Sequence, residues 1–458
     1  MTNLNFNELT PQLHPIIFET LENWTMMKFP QRNQTLKWSL PISNLSERNS
    51  SDYYVEFHKC SNASLLCSAN ISTTIYPKYF HLYPIEQWKM HRFFTEEYLK
   101  LVNTHWFEYP PPNKQIHYIF AAVYFLVMLV GVSGNLLVIF MILSFRTLRT
   151  SSNILILNLA VSDFLMVAKM PVFIYNSFYF GPVLGEMGCH FYGFIGGLSG
   201  TASILTLAAI AMDRYLGIAH PLNFNQGRAK KRTIVWITFI WVYSITFASI
   251  PLSHIGVKTY VPEGFLTSCS FDYLSTDIQN RCFIFIYFVA AWCLPLLVII
   301  TSYVGICREV LRVSLIRKGQ EREQRKREAK LSAILALATF LWFLSWTPYA
   351  AVALLGIFGY KNHITQLASM IPALFCKTAA CVNPFIYGLN HPRLRQQLLK
   401  LCCKKRYNLE KTHFSRSWRN TSCSFKLKEQ SLCNVSQSRL RRTSTVASEP
   451  SEHSTHFM

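Results

Sequence analysis

The sequence predicts an all-α membrane protein, a seven-transmembrane-helix bundle followed by a short amphipathic eighth helix. Three observations predict it. Only 15% of the 458 residues are charged while 50% are hydrophobic, against about 25% charged in an average soluble domain. The charges are confined to segments between long apolar stretches, and Ile116 to Leu143 holds no Asp, Glu, Lys or Arg; about 18 such residues suffice for a helix to cross the hydrocarbon core. Basic residues gather beside alternate stretches, the pattern of the positive-inside rule. A soluble or fibrous protein is excluded.

Residues 1–115 read as an extracellular, glycosylated N-terminal segment. Their ten Lys/Arg balance ten Asp/Glu, and Asn-x-Ser/Thr triplets stand at Asn23, Asn33, Asn44, Asn49, Asn62 and Asn70, which accept glycan only on the lumenal side. No charged n-region with an apolar stretch opens the chain, so the first span is expected to direct insertion. The segment is aromatic without periodicity; no fold is assigned to it, and pairing of Cys60 with Cys67 stays open.

Seven spans follow, at 116–143, 154–178, 189–212, 234–252, 283–307, 331–358 and 364–389, within a membrane domain of 116–390. An odd number puts the chain ends on opposite faces. The net charge of +21 lies on one side: His391–Met458 carries fourteen basic and four acidic residues, Arg308–Lys330 nine and four, and the short loops around Arg146 and Lys230 the rest. That side is expected to be cytoplasmic, against anionic lipid headgroups. No basic cluster is interleaved with stacking aromatics, so nucleic acid is not an expected partner. Glu321–Lys330 reads as a charged extension of the sixth helix. The amphipathic stretch 391–403 ends in Cys402 and Cys403, which read as palmitoyl anchors. Residues 404–458 are basic and Ser/Thr-rich, and are expected to be disordered.

Ionisable residues inside a bilayer are functional hypotheses by default. Asp163 lies in the second span, Asp213-Arg214-Tyr215 ends the third, and Asn383-Pro384-Phe385-Ile386-Tyr387 closes the seventh. Gly134-Asn135, Trp241, Pro295 with Tyr303, and Trp346-Thr347-Pro348 mark the others. Each mark alone can be structural, since prolines kink many membrane helices. The full ordered set resembles the class A, rhodopsin-like G-protein-coupled receptors over about residues 116–403. The resemblance implies that Arg214 and Glu328 hold the inner ends of spans three and six together, and that Tyr303 and Tyr387 swing inward in the open state. It also implies a disulfide between Cys189 and Cys269.

Lys377 is the only charged residue between Ile364 and Leu389. It lies about 20 Å along the helix from Ile364 at 1.5 Å per residue, too deep to snorkel. Such an amine finds a carboxylate, loses its proton, or is captured as a Schiff base. It stands six residues before Asn383, in Phe375-Cys376-Lys377-Thr378-Ala379-Ala380-Cys381, a string that resembles the opsins, where this lysine binds retinal. Gly196 stands where amine receptors carry an aspartate, which disfavours a cationic ligand. Trp292, Trp346 and Tyr349 would line an apolar cavity suited to a polyene, or serve as ordinary packing aromatics. Tyr192 occupies the position where vertebrate visual opsins place their counterion. Glu263, six residues before Cys269, takes that role in the resemblance to rhabdomeric-type opsins; otherwise it is a solvated loop acid. Lys169-Met170-Pro171 resembles the tuning segment of arthropod ultraviolet opsins. A second amine near the imine disfavours its protonated form and lowers its pKa, and an unprotonated retinal imine absorbs in the ultraviolet.

The resemblance therefore implies a light-activated receptor, not an enzyme, holding 11-cis-retinal or a close derivative such as 3-hydroxyretinal. It implies a short-wavelength pigment in the plasma membrane of rhabdomeric photoreceptors. His391-Pro392-Arg393 is similar to the string of opsins that couple to Gq and phospholipase C. With the long N-terminal segment, the overall likeness is to the arthropod rhodopsin-seven-like lineage, implicated in non-image light sensing. Arg441-Arg442-Thr443-Ser444 suits a receptor kinase, with arrestin docking to follow. The rival within the same architecture is a peptide or small-molecule receptor in which Lys377 is incidental. A transporter or channel predicts an inverted repeat or pore-lining charges, and neither is present in the sequence. A retinal isomerase is disfavoured by the intact Asp213-Arg214-Tyr215 and Asn383–Tyr387 elements.

Overall fold

The computed structural model describes residues 54–55, 75–219, 226–253, 255–316, 320–390 and 396–397. Residues 54–55, 75–76, 226, 313–316, 320–327 and 387–390 are described by their backbone alone. Contacts divide the chain after Arg395, and the body below belongs to the first unit. The six sequon asparagines named above, Cys60, Cys67, Cys402 and Cys403 lie outside the described residues, as does almost all of 391–403.

Seven long helices form the bundle: α1 Lys114–Ser144, α2 Ser151–Phe178, α3 Gly185–Ala219, α4 Gln226–Ser249, α5 (278–316), α6 Gln320–Ile357 and α7 Gln366–Asn390. Each contains a stretch long and apolar enough to cross a membrane. Every expected span is found. Helix α3 runs seven residues past its expected end, and α6 includes the charged extension read in Glu321–Lys330.

Helix α3 is the central post, in contact with α2, α4, α5 and α6. Its sequence explains the place: Gly193, Gly197, Ser199, Gly200, Ala202, Ser203, Ala208, Ala209 and Ala211 are all buried, and small residues let membrane helices approach closely. The outer faces of the other helices carry exposed Leu126, Phe140, Val235, Phe239, Leu297, Phe340 and Ile371, which suits a lipid surround.

Prolines set the irregularities. Helix α2 is interrupted at Lys169, between Ala168 and Met170, because Pro171 cannot bond the carbonyl of Val167 and its ring crowds it. Helix α5 makes a π-turn over Val289–Cys293, just before Pro295, and the Ala290 carbonyl there accepts from the Tyr243 hydroxyl at 3.0 Å. Such turns recur at functional sites. Pro384 leaves the Ala380 carbonyl without its helical donor, and Asn135 Nδ2 on α1 supplies one at 2.9 Å.

A hairpin of β1 Val261–Glu263 and β2 Ser268–Ser270 joins α4 to α5, with Glu263 opposite Ser268 and Pro262 opposite Cys269. The disulfide Cys189–Cys269, with Cα atoms 5.3 Å apart, ties β2 to the start of α3.

The N-terminal segment, to which the sequence assigns no fold, has one from Pro77 to Asn113. Two short helices, Ile85–Lys89 and Glu96–Leu101, bury Trp88, Tyr98, Trp106 and Phe107. Trp88 Nε1 donates to the Tyr179 carbonyl at 3.2 Å, His105 Nε2 to the Ile364 carbonyl at 2.8 Å, and Gln366 Nε2 to the Tyr83 hydroxyl at 2.7 Å. This cap is fixed by distant aromatic contacts, so it leaves no periodicity to read.

Candidate functional site

All eight pocket residues expected from the sequence line one internal cavity: Lys169, Tyr192, Gly196, Glu263, Trp292, Trp346, Tyr349 and Lys377. Its volume of about 150 Å³ is roughly tenfold what one buried water requires. The lining is overwhelmingly apolar apart from two amines and one carboxylate, the profile of a small-molecule pocket.

Lys377 projects from the middle of α7 and is buried. Its Nζ donates to the Ala373 carbonyl one turn back, and stands 5.6 Å from the centre of the Tyr124 ring and 5.8 Å from that of Tyr192. Lys169, at the break in α2, is also buried. Its Nζ donates to the Tyr192 carbonyl at 3.2 Å and stands 4.1 Å from the same Tyr192 ring. The two amines thus share one aromatic neighbour.

Glu263 is buried beneath the hairpin rather than solvated. Its Oε2 accepts from the hydroxyls of Tyr273 and Tyr349, both at 3.2 Å, and its Oε1 from Ser268 Oγ at 3.4 Å. Tyr349 also bonds Ser270, and Tyr273 bonds Ser369 on α7 at 2.9 Å. Burial pushes the Glu263 carboxyl above its ordinary range, opposed by the Lys377 charge and by the Tyr349 and Tyr273 hydroxyls. The hairpin turn is held down at Gly264, whose φ of +57° lies in the left-handed region, where an added Cβ would come within 2.6 Å of Met370 on α7. Close approach and left-handed backbone both call for glycine here.

The far wall is aromatic. Trp346 stacks on Trp342 with centroids 5.1 Å apart, and Trp292 stacks on Phe288 at 5.3 Å. Gly200 makes room for Trp346, since a Cβ there would lie 2.7 Å from the indole. Sequence reading singled out Gly196 but not the stripe Gly193, Gly196, Gly197 and Gly200, all on the cavity wall; their i, i+3, i+4, i+7 spacing is the signal that finds it. Tyr124, Tyr273 and Ser268 were missed as well. Tyr273 lies on irregular chain, where no periodicity marks it.

A second polar cluster lies at the other end of α3. Asp213 accepts from Ser152 Oγ at 2.7 Å and pairs with Arg232 at 2.8 Å and Arg214 at 3.1 Å. Arg214 also reaches Glu328 on α6 at 3.8 Å, the partner the resemblance implies. The Tyr215 ring packs on α5 beside Gly305, two residues beyond the half-buried Tyr303. Between the two ends, Asp163 accepts from Ser203 Oγ at 2.8 Å and from Asn383 Nδ2 at 2.7 Å. Trp241 Nε1 donates to Asn158 at 2.8 Å. The Tyr387 side chain lies outside the described residues.

Comparison with known proteins accords with this geometry. The sequence model described as 7 transmembrane receptor (rhodopsin family) matches residues 134–387. The ultraviolet-sensitive opsin of Apis mellifera is 39% identical over 309 residues, covering 65% of this chain and 82% of the relative. Opsin Rh3 of Drosophila melanogaster is 36% identical over 319 residues, covering 67% and 82%. The crystal structure of squid rhodopsin superimposes with a TM-score of 0.61 at 29% identity, covering 76% of this chain and 96% of that one. The chain belongs to the rhodopsin family of seven-transmembrane receptors. Within that family it is an opsin of the arthropod, rhabdomeric type: a multi-pass membrane photoreceptor, not an enzyme.

An opsin carries a retinal chromophore and acts on a G protein. The cavity fits such a group: a buried amine on one wall, a buried carboxylate beneath the hairpin, and an aromatic channel between. Lys377 would hold it, with Tyr192, Trp292, Trp346 and Tyr349 around it.

Proposed function

We propose that this opsin is a short-wavelength pigment whose retinal is bound at Lys377, with Glu263 as counterion and Lys169 as the residue that sets colour. The single observation that carries the reading is the enclosure of these two amines and one carboxylate in one apolar cavity. Joined to Lys377 as a Schiff base, retinal would supply light absorption and a light-driven change of shape. Glu263 balances positive charge at the Lys377 nitrogen, and Tyr273 and Tyr349 hold its carboxylate still. Lys169 opposes that charge. Through the shared Tyr192 ring the two nitrogens lie within about 10 Å of each other, where two like charges at an effective dielectric near 20 repel by about 1.7 kcal/mol. That repulsion works against positive charge at the Lys377 nitrogen, which favours ultraviolet or blue absorption.

The chromophore is 11-cis-retinal or a close derivative such as 3-hydroxyretinal. The cap and disulfide end face outside, and the Arg214 end faces the cytoplasm of a rhabdomeric membrane. There the Arg214–Glu328 contact is a latch that opens as α6 moves outward, admitting a Gq-type G protein, with a receptor kinase and arrestin ending the signal on the basic tail. A match to opsins leaves the peptide-receptor alternative without a supporting observation.

The test is a spectrum of the full chain expressed with 11-cis-retinal, before and after illumination. A short-wavelength band that light converts, and that borohydride traps at Lys377, is the expected result. A photosensitive pigment formed by Lys377→Ala would overturn the assignment.

A further inference from the structure

We propose that Gly196 is the positioning residue for Lys169: its missing side chain is the seat of the Lys169 ammonium, and so fixes how strongly that charge acts on the Lys377 site. This rests on the reading of Lys377 and Lys169 above.

Four cavity-wall glycines on α3 make room for four different things. At Gly193 an added Cβ would strike the Tyr260 ring, at Gly197 it would meet Tyr260, Phe271 and Ala248, and at Gly200 it would strike Trp346. At Gly196 the heavy atoms that an added Cβ would meet within 4 Å, beyond its own stretch of helix and among the described residues, belong to Lys169, with Nζ at 2.2 Å and Cε at 3.6 Å. The space left by Gly196 is therefore filled by the amine itself. One turn back on the same helix face, Tyr192 supplies the carbonyl at 3.2 Å and the ring at 4.1 Å that hold the nitrogen. No carboxylate pairs with Lys169 among the described residues, so these two contacts are what a buried ammonium has in place of water.

A methyl group at position 196 cannot coexist with Nζ at 2.2 Å. The obstructed atom is the far end of a flexible side chain, so the backbone of α3 has no reason to move. The amine then leaves the Tyr192 carbonyl and ring, the two contacts that hold its charge beside the Lys377 site. The repulsion on the Lys377 nitrogen then weakens, and the proton there is kept.

The experiment compares wild type, G196A, K169M and the G196A/K169M double variant, each as the full chain with 11-cis-retinal. The readouts are the dark absorption maximum and the pH at which the long-wavelength form gives way to the short-wavelength one. Thermal unfolding of each retinal-free protein is followed alongside. G196A is expected to move the maximum to longer wavelength and to raise that pH, in the same direction as K169M but by less. In the double variant the G196A effect is expected to vanish, and the retinal-free proteins are expected to unfold alike. A G196A shift of equal size in the K169M background would overturn the inference, because position 196 would then act on the chromophore directly. So would a spectrum that K169M moves and G196A does not. If K169M itself moves nothing, the tuning role of Lys169 fails and the inference with it, a result distinct from the other two.

Discussion

Asn135 on α1 donates to the carbonyl of Ala380 on α7 at 2.9 Å, the carbonyl that Pro384 cannot bond, and gives its second amide hydrogen to Gly131 at 2.9 Å. One side chain thereby completes the backbone of a helix it does not belong to. Replacing it by Ala strands a buried acceptor, which costs about 1–3 kcal/mol. Asn135→Ala is expected to lower the unfolding temperature of the detergent-solubilised protein, and Pro384→Ala, which restores the helical donor, to recover part of the loss. An Asn135→Ala protein that melts with the wild type would show the bond to be immaterial.

The Arg214 contacts differ in weight. Glu328 lies 3.8 Å away with its side chain 43% exposed, whereas Asp213 is buried and holds Ser152, Arg232 and Arg214 within 3.1 Å. Exposed pairs contribute up to about 1 kcal/mol, while hydrogen bonds to a buried charge contribute about 1.5–3 kcal/mol. Glu328→Gln should raise dark nucleotide exchange on the G protein by no more than about fivefold, and Asp213→Asn by clearly more. Exchange assays on membranes without retinal rank the two.

Glu263 predicts a pH slope. Burial raises its carboxyl above the ordinary 4.5, so between those two values the folded chain keeps a proton that the unfolded chain has lost. Stability then falls as pH rises through that window. Thermal unfolding of the retinal-free protein should show the decline, and Glu263→Gln should flatten it. A slope unchanged by the substitution would place its source elsewhere.

Trp88 anchors the cap. It is fully buried, and its indole fills the space beside Gly181, where a Cβ would lie 2.1 Å from the ring. Burying an indole and losing it to Ala costs about 3–5 kcal/mol. Trp88→Ala should expose residues 77–113 to protease and to hydrogen exchange while the seven helices keep their protection.

The seven helices were legible because each apolar run outlasts the bilayer, and the charges fall where runs end. Lys377 and Lys169 were legible because a charge inside an apolar run has few innocent explanations, and Glu263 only through the resemblance, by its place six residues before Cys269. The cap was not: Trp88 meets Tyr179, and His105 meets Ile364, across separations of 91 and 259 residues, and such contacts leave no local pattern. The break in α2 could be read from Pro171, yet only packing shows that it turns Lys169 onto Tyr192. The network around Glu263 stayed hidden for a similar reason, since Tyr273 and Ser369 come together only once the hairpin folds over α7.

One short ribbon of chain carries both Cys269 and Glu263, in adjacent pairs of its ladder. Cutting the sulfur bridge would therefore slacken more than a tether. The ribbon that presents the acid would lose its mooring to α3, so that a reducing agent is expected to act on this pigment as an agent of hue as well as of durability.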